Sequence, residues 1–398
     1  MTSEPSDVSL FGRTNLREPH LAFGIKQADR LSHMYIIGKT GTGKSTLLET
    51  LIRQDIEAGR GCALIDPHGD LVQRIATTLP AHRRGDTVYF NVPDASQPFG
   101  YNPLLHVSVG LRPLVASGLI DVFKKMWADA WGVRMEHILR NALLALLDQP
   151  KAALPDILSM LNSKSFRLKV LAGIENQQVK SFWRDEFPKY SFRYQADGIA
   201  PIQNKVGAFL ADPKLRRIVV PEHGGLRLRE VMDQGKVLLV NLSQGKIGAD
   251  SAALLGGLLV TSLGSAAFSR ASQDEAFRRP FFLYVDEFQS FTTLALANML
   301  SELRKFGVGL VMAHQYLQQL DPAIAHAVLG NAGTLIAFRL GAYDAGLIAR
   351  EFEPVFQPVD LLRLPNHHIA LKLMIDGMPS RPFSATTLVH NEIARISA

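Results

Sequence analysis

The sequence predicts an α/β fold in which a mostly parallel sheet is interrupted by an all-helical insertion domain. Two observations predict it. From His33 onward, short apolar runs alternate with helical patterns, the rhythm of parallel strands joined by crossover helices. Between about residues 111 and 225 that rhythm stops and only helical periodicity remains, before the strands resume. The expected organisation is an N-terminal arm over residues 1–30, an α/β domain from residues 31–110 and 226–398, and a helical insertion over residues 111–225.

Residues 1–30 are polar and punctuated by Gly and Pro, and so read as an arm. "MYIIG" then predicts a strand, "KSTLLETLIRQDIEAG" a helix closed by Gly59, "CALID" a second strand and "TVYFNV" (87–92) a third. The insertion carries "EHILRNALLALLDQ", "LPDILSMLNSKS" and "IQNKVGAFLADPKLRRI", all with helical spacing and few β-branched runs. Strands resume with "KVLLVNLS" (236–243), "FFLYVDEF" (281–288), "GVGLVMAHQ" (307–315), "GTLIAFRL" (333–340) and "HIALKLMI" (368–375). There is no internal repeat and no low-complexity tract.

Composition narrows the class. With 398 residues, 47% of them hydrophobic, the chain can bury a large core. Forty-three Lys and Arg against 37 Asp and Glu leave a formal charge of +6, compatible with a polyanionic partner without requiring one. The single cysteine, Cys62, excludes an intramolecular disulfide and fits a reducing compartment. "MTSEPSDVSL" has no basic segment followed by an apolar run, so no signal peptide is expected. Residues 251–268 are uncharged, but their Gly and Ser content favours a buried helix over a membrane span.

Chemistry enters at "GKTGTGKST". Gly38, Lys39, Thr40, Gly41, Thr42, Gly43, Lys44 and Ser45 match G-x-x-x-x-G-K-[ST], between an expected strand and an expected helix, with Thr46 following. Glycines let the backbone close around phosphate oxygens, and the helix that starts there turns its positive end toward the negative charge. Lys44 is expected to reach the β- and γ-phosphates of ATP, and the Ser45 hydroxyl to ligate Mg²⁺.

Hydrolysis also needs a held cation and an activated water. "FFLYVDEF" ends its apolar run in Asp286 and Glu287: Asp286 to hold Mg²⁺, Glu287 to orient or deprotonate the water. Adjacent acids argue for an active ATPase rather than a passive switch. Gln315, at the end of "GVGLVMAHQ", is either a γ-phosphate sensor or one more solvated glutamine beside Gln318 and Gln319, and His314 is expected to be packed. A cation delivered by a neighbouring subunit would be Arg339 or Arg304, each of which could equally be a surface arginine; Lys305 reads as solvated. Asp66 and His68 in "LIDPHGDL" either approach the site or belong to a turn built by Pro67 and Gly69, with no third ligand at metal-binding spacing.

The ordered set "HMYIIGKTGTGKSTLL", "IDPHGDL", "FNVPDASQPFGYNPL", "LYVDEFQSF" and "RKFGVGLVMAHQYLQQL" resembles the HerA/FtsK class of RecA-like P-loop NTPases. Within it, the set is most similar to the coupling-protein ATPases of conjugation and type IV secretion, over roughly residues 11–398. The resemblance implies Lys44 and Ser45 as the Walker A pair, Asp286 and Glu287 as the Walker B acids, Gln315 as the sensor and Arg339, before Arg304, as the arginine finger. It implies a homo-oligomeric, hexameric ring that moves DNA through its channel, with a relaxase or secretion-system membrane proteins as partners. Anchored relatives carry N-terminal transmembrane helices and HerA a β-barrel; only about 30 polar residues precede the core here, so a cytoplasmic protein reaching the membrane through partners is expected. Lys205, Arg216, Arg217, Arg278 and Arg279 are candidate channel residues or simply solvated charges. The competing function is an ATP-dependent assembly or protein-recruiting factor of a secretion or defence complex. The absence of an acceptor-substrate lid argues against a small-molecule kinase.

Overall fold

The computed structural model describes residues 7–15, 20–220 and 225–397. The chain divides into two compact units. The first comprises the described residues up to Phe90, Arg229–Ser243 and the described residues from Arg270 onward; the second comprises Asn91–Leu228, as far as described, and Gln244–Ser269.

The strands are β1 (Val8–Thr14), β2 (Ala22–Lys26), β3 (Met34–Ile37), β4 (Gly61–Asp66), β5 (Thr87–Asn91), β6 (Val237–Asn241), β7 (Phe281–Val285), β8 (Val308–His314), β9 (Thr334–Ala337), β10 (His368–Lys372), β11 (Met374–Ile375), β12 (Met378–Pro379) and β13 (Phe383–Thr387). Eleven of them form one sheet in the order β2-β1-β13-β10-β9-β3-β8-β7-β4-β6-β5, and β11 and β12 pair separately. The centre is parallel: β3 pairs with β8 and β9, β7 with β8 and β4, and β4 with β6. Parallel strands are covered on both faces, so they need continuous apolar runs rather than alternation. "MYII", "VLLVN", "FFLYV" and "VGLVMAH" are buried throughout.

The flank is antiparallel. β10 pairs with β9 and β13, β13 with β1, and β1 with β2. This corrects the expected arm: Val8–Thr14 and Ala22–Lys26 are the outermost strands on one side of the sheet. A glycine in each short run and a register shift between Leu10 and Gly12 conceal the alternation. The rest of that expectation, residues 1–6 and 16–19, lies outside the described residues.

The helix Lys44–Glu57 buries Leu47, Leu48, Leu51, Ile52 and Ile56 against the sheet. It ends where Gly59 turns left-handed at φ 75°, a conformation that glycine adopts without a Cβ penalty. At the sheet's far edge, the fully buried Arg30 is paired bidentately to Asp55 at 2.7 and 2.8 Å. Its guanidinium stacks 3.8 Å above the Phe282 ring.

The second unit is helical where described, apart from its loops. Its boundaries are wider than the expected 111–225, because Ala249–Ser269 belongs to it although strand β6 intervenes in sequence. That helix meets Arg112–Met126 so closely that a Cβ on Gly118 would lie 2.5 Å from Thr261. Tyr101 donates to the Leu258 carbonyl at 2.8 Å. Among the described residues one helix, over Ala249–Ser272, is long and apolar enough to cross a membrane, and 72% of its apolar window is buried.

Candidate nucleotide-hydrolysis site

Strand order decides which loops meet. In a parallel sheet all the carboxyl ends lie on one edge, and ligand sites gather there. Because β8 lies between β3 and β7, Gln315 at its end is flanked by the Gly38–Ser45 loop on one side and by Asp286 and Glu287 on the other. The side chains close that gap. Thr40 Oγ1 donates to Gln315 Oε1 at 2.9 Å, and Gln315 Nε2 donates to Glu287 Oε1 at 2.8 Å.

The Gly-rich loop has the backbone its sequence demands. Gly41 (φ 77°) and Gly43 (φ 119°) occupy left-handed conformations, and nothing lies within 4 Å of the place a Gly41 Cβ would take. Gly43 is the opposite case, since a Cβ there would sit 2.9 Å from His367 Nδ1 and 3.1 Å from Phe338. Lys44 is buried, with its ammonium donating to the Gly38 carbonyl at 2.5 Å and the Lys39 carbonyl at 3.2 Å. Burial lowers its pKa, opposed by the charges of Glu287 and Asp286. Ser45 and Thr46 lie in the first turn of the following helix, partly exposed.

The acids crowd together. Asp286 is buried, and its pKa is pushed up to about 6 by burial and then by the neighbouring charges of Asp66 and Glu287. Asp286 thus stands among negative charges, with Lys44 as the opposing cation. Among the described residues, no group of three or more His, Cys, Asp or Glu side chains is arranged to hold a metal by itself. Mg²⁺ fits such a place, because it takes one or two protein oxygens and completes its shell with water and phosphate. Glu287 has left-handed backbone angles (φ 48°, ψ 50°), an uncommon state for a non-glycine residue and one that concentrates at working sites.

The neighbouring strand ends settle several open alternatives. Asp66 ends β4, beside β7, and is both near the site and structural: it raises the pKa of Asp286 while accepting from the His68 and Val72 amides at 2.9 and 3.0 Å. The bond from Val72 satisfies a first-turn amide of the helix Asp70–Thr77. His68 is exposed. His314 is fully buried beside Tyr35, with its pKa lowered to about 3 by burial and by Lys44, as the packed reading expected.

The two candidate finger arginines sit at opposite edges. Arg339 follows β9, next to β3, and its carbonyl accepts from the Lys39 amide at 3.0 Å. Its guanidinium is held by Leu364 O and Asn366 Oδ1 of the same chain at 3.3 and 2.9 Å. Arg304 precedes β8 and is exposed at the edge away from the Gly-rich loop, near His33. Lys305 is exposed and paired with Glu302.

The candidate channel residues do not share one environment. Arg278, Arg279 and Arg217 donate to main-chain carbonyls, Lys205 pairs with Asp129 at 3.3 Å, and Arg216 is exposed.

Two residues at the site carry no sequence signal. His367 (φ 64°) donates its amide to the Thr42 carbonyl at 2.8 Å and packs its ring against Gly43. Gln289 donates to Glu287 Oε2 at 2.6 Å. His367 lies more than three hundred residues from the loop it braces, and Gln289 reads simply as a polar turn residue.

The profile of the family described as "Helicase HerA, central domain" matches residues 27–249, more than half of the chain and including the whole Gly-rich loop. The chain belongs to that family. Comparison with curated proteins finds no match. Among solved structures, the bacterial conjugative coupling protein TrwBdeltaN70, in an unbound form, superposes with a TM-score of 0.67 at 17% identity, covering 98% of this chain and 90% of that one. TrwB in complex with ADP and Mg²⁺ gives 0.67 at 17% identity, covering 97% and 96%. VirB4 of Thermoanaerobacter pseudethanolicus gives 0.65 at 16% identity, covering 97% of each chain. The fold is therefore the RecA-like P-loop ATPase fold of the HerA/FtsK class, shared with type IV coupling and secretion ATPases.

Proposed function

We propose that this chain is an ATP-hydrolysing DNA translocase, one subunit of a ring motor related to conjugative coupling ATPases. The observation that carries the hydrolytic part is the hydrogen-bonded chain from Thr40 through Gln315 to Glu287. It links the phosphate loop to the water-activating carboxylate through a residue able to respond to the γ-phosphate. TrwB has been solved with an ATP analogue and with ADP and Mg²⁺, which supports ATP and Mg²⁺ as the ligands here.

Lys44 and the amides of residues 38–45 would hold the phosphates, while Ser45 and Asp286 would hold Mg²⁺, which when bound would supply neutralisation of the phosphate charge. Glu287 orients the attacking water and accepts its proton. Gln315 couples the occupancy of the loop to the attitude of Glu287. Arg339, before Arg304, is proposed as the arginine finger that a neighbouring subunit presents to the nucleotide; Arg304, exposed at the opposite edge of the sheet, is the alternative. A homo-oligomeric, hexameric ring is therefore part of the proposal. So is cytoplasmic work at a membrane reached through partners such as a relaxase or secretion-system proteins.

DNA is the proposed cargo through family membership and the chain's net charge of +6. A protein-recruiting or assembly ATPase is the second reading, favoured by the engagement of Arg217, Arg278 and Arg279 with carbonyls rather than in an open basic surface. The test is ATP turnover with and without DNA, together with DNA binding across a salt series. The translocase predicts stimulation by DNA and affinity that falls steeply with salt. Turnover indifferent to DNA, with no salt-dependent binding, would favour the second reading.

A further inference from the structure

Glu287 is held by two donors that arrive on different oxygens. Gln315 reaches Oε1 from the end of β8, and Gln289 reaches Oε2 at 2.6 Å from the turn Phe288–Ser290. The two reach Glu287 from different places. Gln315 also accepts from the Thr40 hydroxyl of the phosphate loop, a donor for which a bound phosphate oxygen would compete with it. The Gln289 contact stays within one turn, two residues away on the same side of the gap.

That turn is rigid. Phe288 and Phe291 anchor it with exposures of 0% and 1%. The Ser290 amide closes it on the Glu287 carbonyl at 2.8 Å, and the Phe291 and Thr292 amides both bond the Phe288 carbonyl at 3.1 Å. The Glu287 amide itself donates to Asp286 Oδ1 at 3.0 Å. The backbone under Glu287 is thus fixed in its left-handed state, but a glutamate has three further torsions, and only a donor on the carboxylate can fix those.

We propose that Gln289 is a positioning residue for hydrolysis: its amide fixes the plane of the Glu287 carboxylate while Gln315 is free to exchange partners with the nucleotide. This rests on the assignment of Glu287 as the group that orients the attacking water. A carboxylate oxygen offers two lone-pair directions, so Oε2 can accept from Gln289 and still accept from water. A single donor would leave the carboxylate free to swing about it; two donors on separate oxygens define its plane. Gln289 acts on the Glu287 carboxylate from the turn that follows it, so the expected effect of losing its donor is on the chemical step rather than on the affinity for ATP.

Two variants test this. Gln289→Met keeps the length and removes the donor; Gln289→Glu keeps the shape and sets a second carboxylate against the first. For both, kcat and KM for ATP, the affinity for a non-hydrolysable ATP analogue and the thermal midpoint are measured on the full chain. The expected result is a kcat lowered about tenfold in Gln289→Met and further in Gln289→Glu, with KM and analogue affinity within about twofold of wild type. A Gln289→Met kcat within about twofold of wild type would overturn the proposal, as would kcat and analogue affinity falling together with the thermal midpoint. Wild type and Glu287→Gln run alongside. If wild type does not hydrolyse ATP, the functional assignment fails; if it does and only Glu287→Gln is inactive, the role of Gln289 alone fails.

Discussion

Gln315→Met separates coupling from binding. The substitution keeps the side chain's length but removes the donor to Glu287 at 2.8 Å and the acceptor for Thr40 at 2.9 Å. A hydrogen bond to a charged group contributes about 1.5–3 kcal/mol and a neutral one about 0.5–1.5 kcal/mol. Gln315 is only half-buried and Thr40 is exposed, so the low end of each range applies and the pair sums to about 2 kcal/mol. If that orientation is expressed in the transition state, kcat falls about thirtyfold, since each 1.4 kcal/mol is a factor of ten. Lys44, Ser45 and the glycines are untouched, so analogue affinity stays within about threefold of wild type. Steady-state ATP turnover and analogue titration on the same preparation read both quantities. A kcat within about threefold of wild type, or a normal kcat with weakened affinity, would refute the chain Thr40–Gln315–Glu287 as the coupling element.

Further expectations follow from the same geometry. Gly43→Ala places a Cβ 2.9 Å from His367 Nδ1 at a φ of 119°, so analogue affinity should drop more than about tenfold while the far-ultraviolet circular dichroism stays native. Arg30→Met strands the buried Asp55 with Arg60 and Tyr284 as its remaining partners, and urea unfolding should show a loss of about 3 kcal/mol, the low end for a broken buried pair. His314 is buried neutral, its pKa lowered from 6.5 to about 3, so the unfolded chain binds its proton first as pH falls. Its contribution is complete above pH 6.5 and is lost progressively toward pH 3. The stability gap between wild type and His314→Phe, measured by urea unfolding, should accordingly narrow as pH is lowered from 7 to about 4, and a gap independent of pH would contradict the buried neutral state.

The parallel core was legible because each of its strands is buried on both faces and reads as an unbroken apolar run. "FFLYV" and "VGLVMAH" leave no alternative period. The antiparallel flank was less so. β1 and β2 are short, half-buried and interrupted by Gly12 and Gly24, where a Cβ would strike Phe23 or the Ser9 carbonyl, so what reads as turn-forming glycine is close packing. Ala249–Ser269 was recognisable as a buried helix, but no local signal says that it packs with Arg112–Met126 rather than with the sheet that follows it in sequence.

The site divides along the same line. Lys44, Ser45, Asp286 and Glu287 announce themselves through spacing, because phosphate and metal chemistry constrain local sequence. Gln315 is ambiguous in the sequence, and only the strand order shows that β8 lies between the two motifs. His367 and Gln289 carry no pattern at all; their roles arise from a backbone contact to Thr42 and from a side-chain contact inside one turn. The finger arginine stays a matter of edges: sequence could not tell that Arg339 follows the carboxyl end of β9 while Arg304 precedes the amino end of β8.

The most direct test of the central claim is displacement of streptavidin from biotin-ended DNA, single- and double-stranded, by the assembled oligomer. The account predicts ATP-dependent displacement from at least one of the two, abolished by Glu287→Gln. Wild-type ATP hydrolysis that proceeds at the same rate with and without DNA and displaces streptavidin from neither would contradict it.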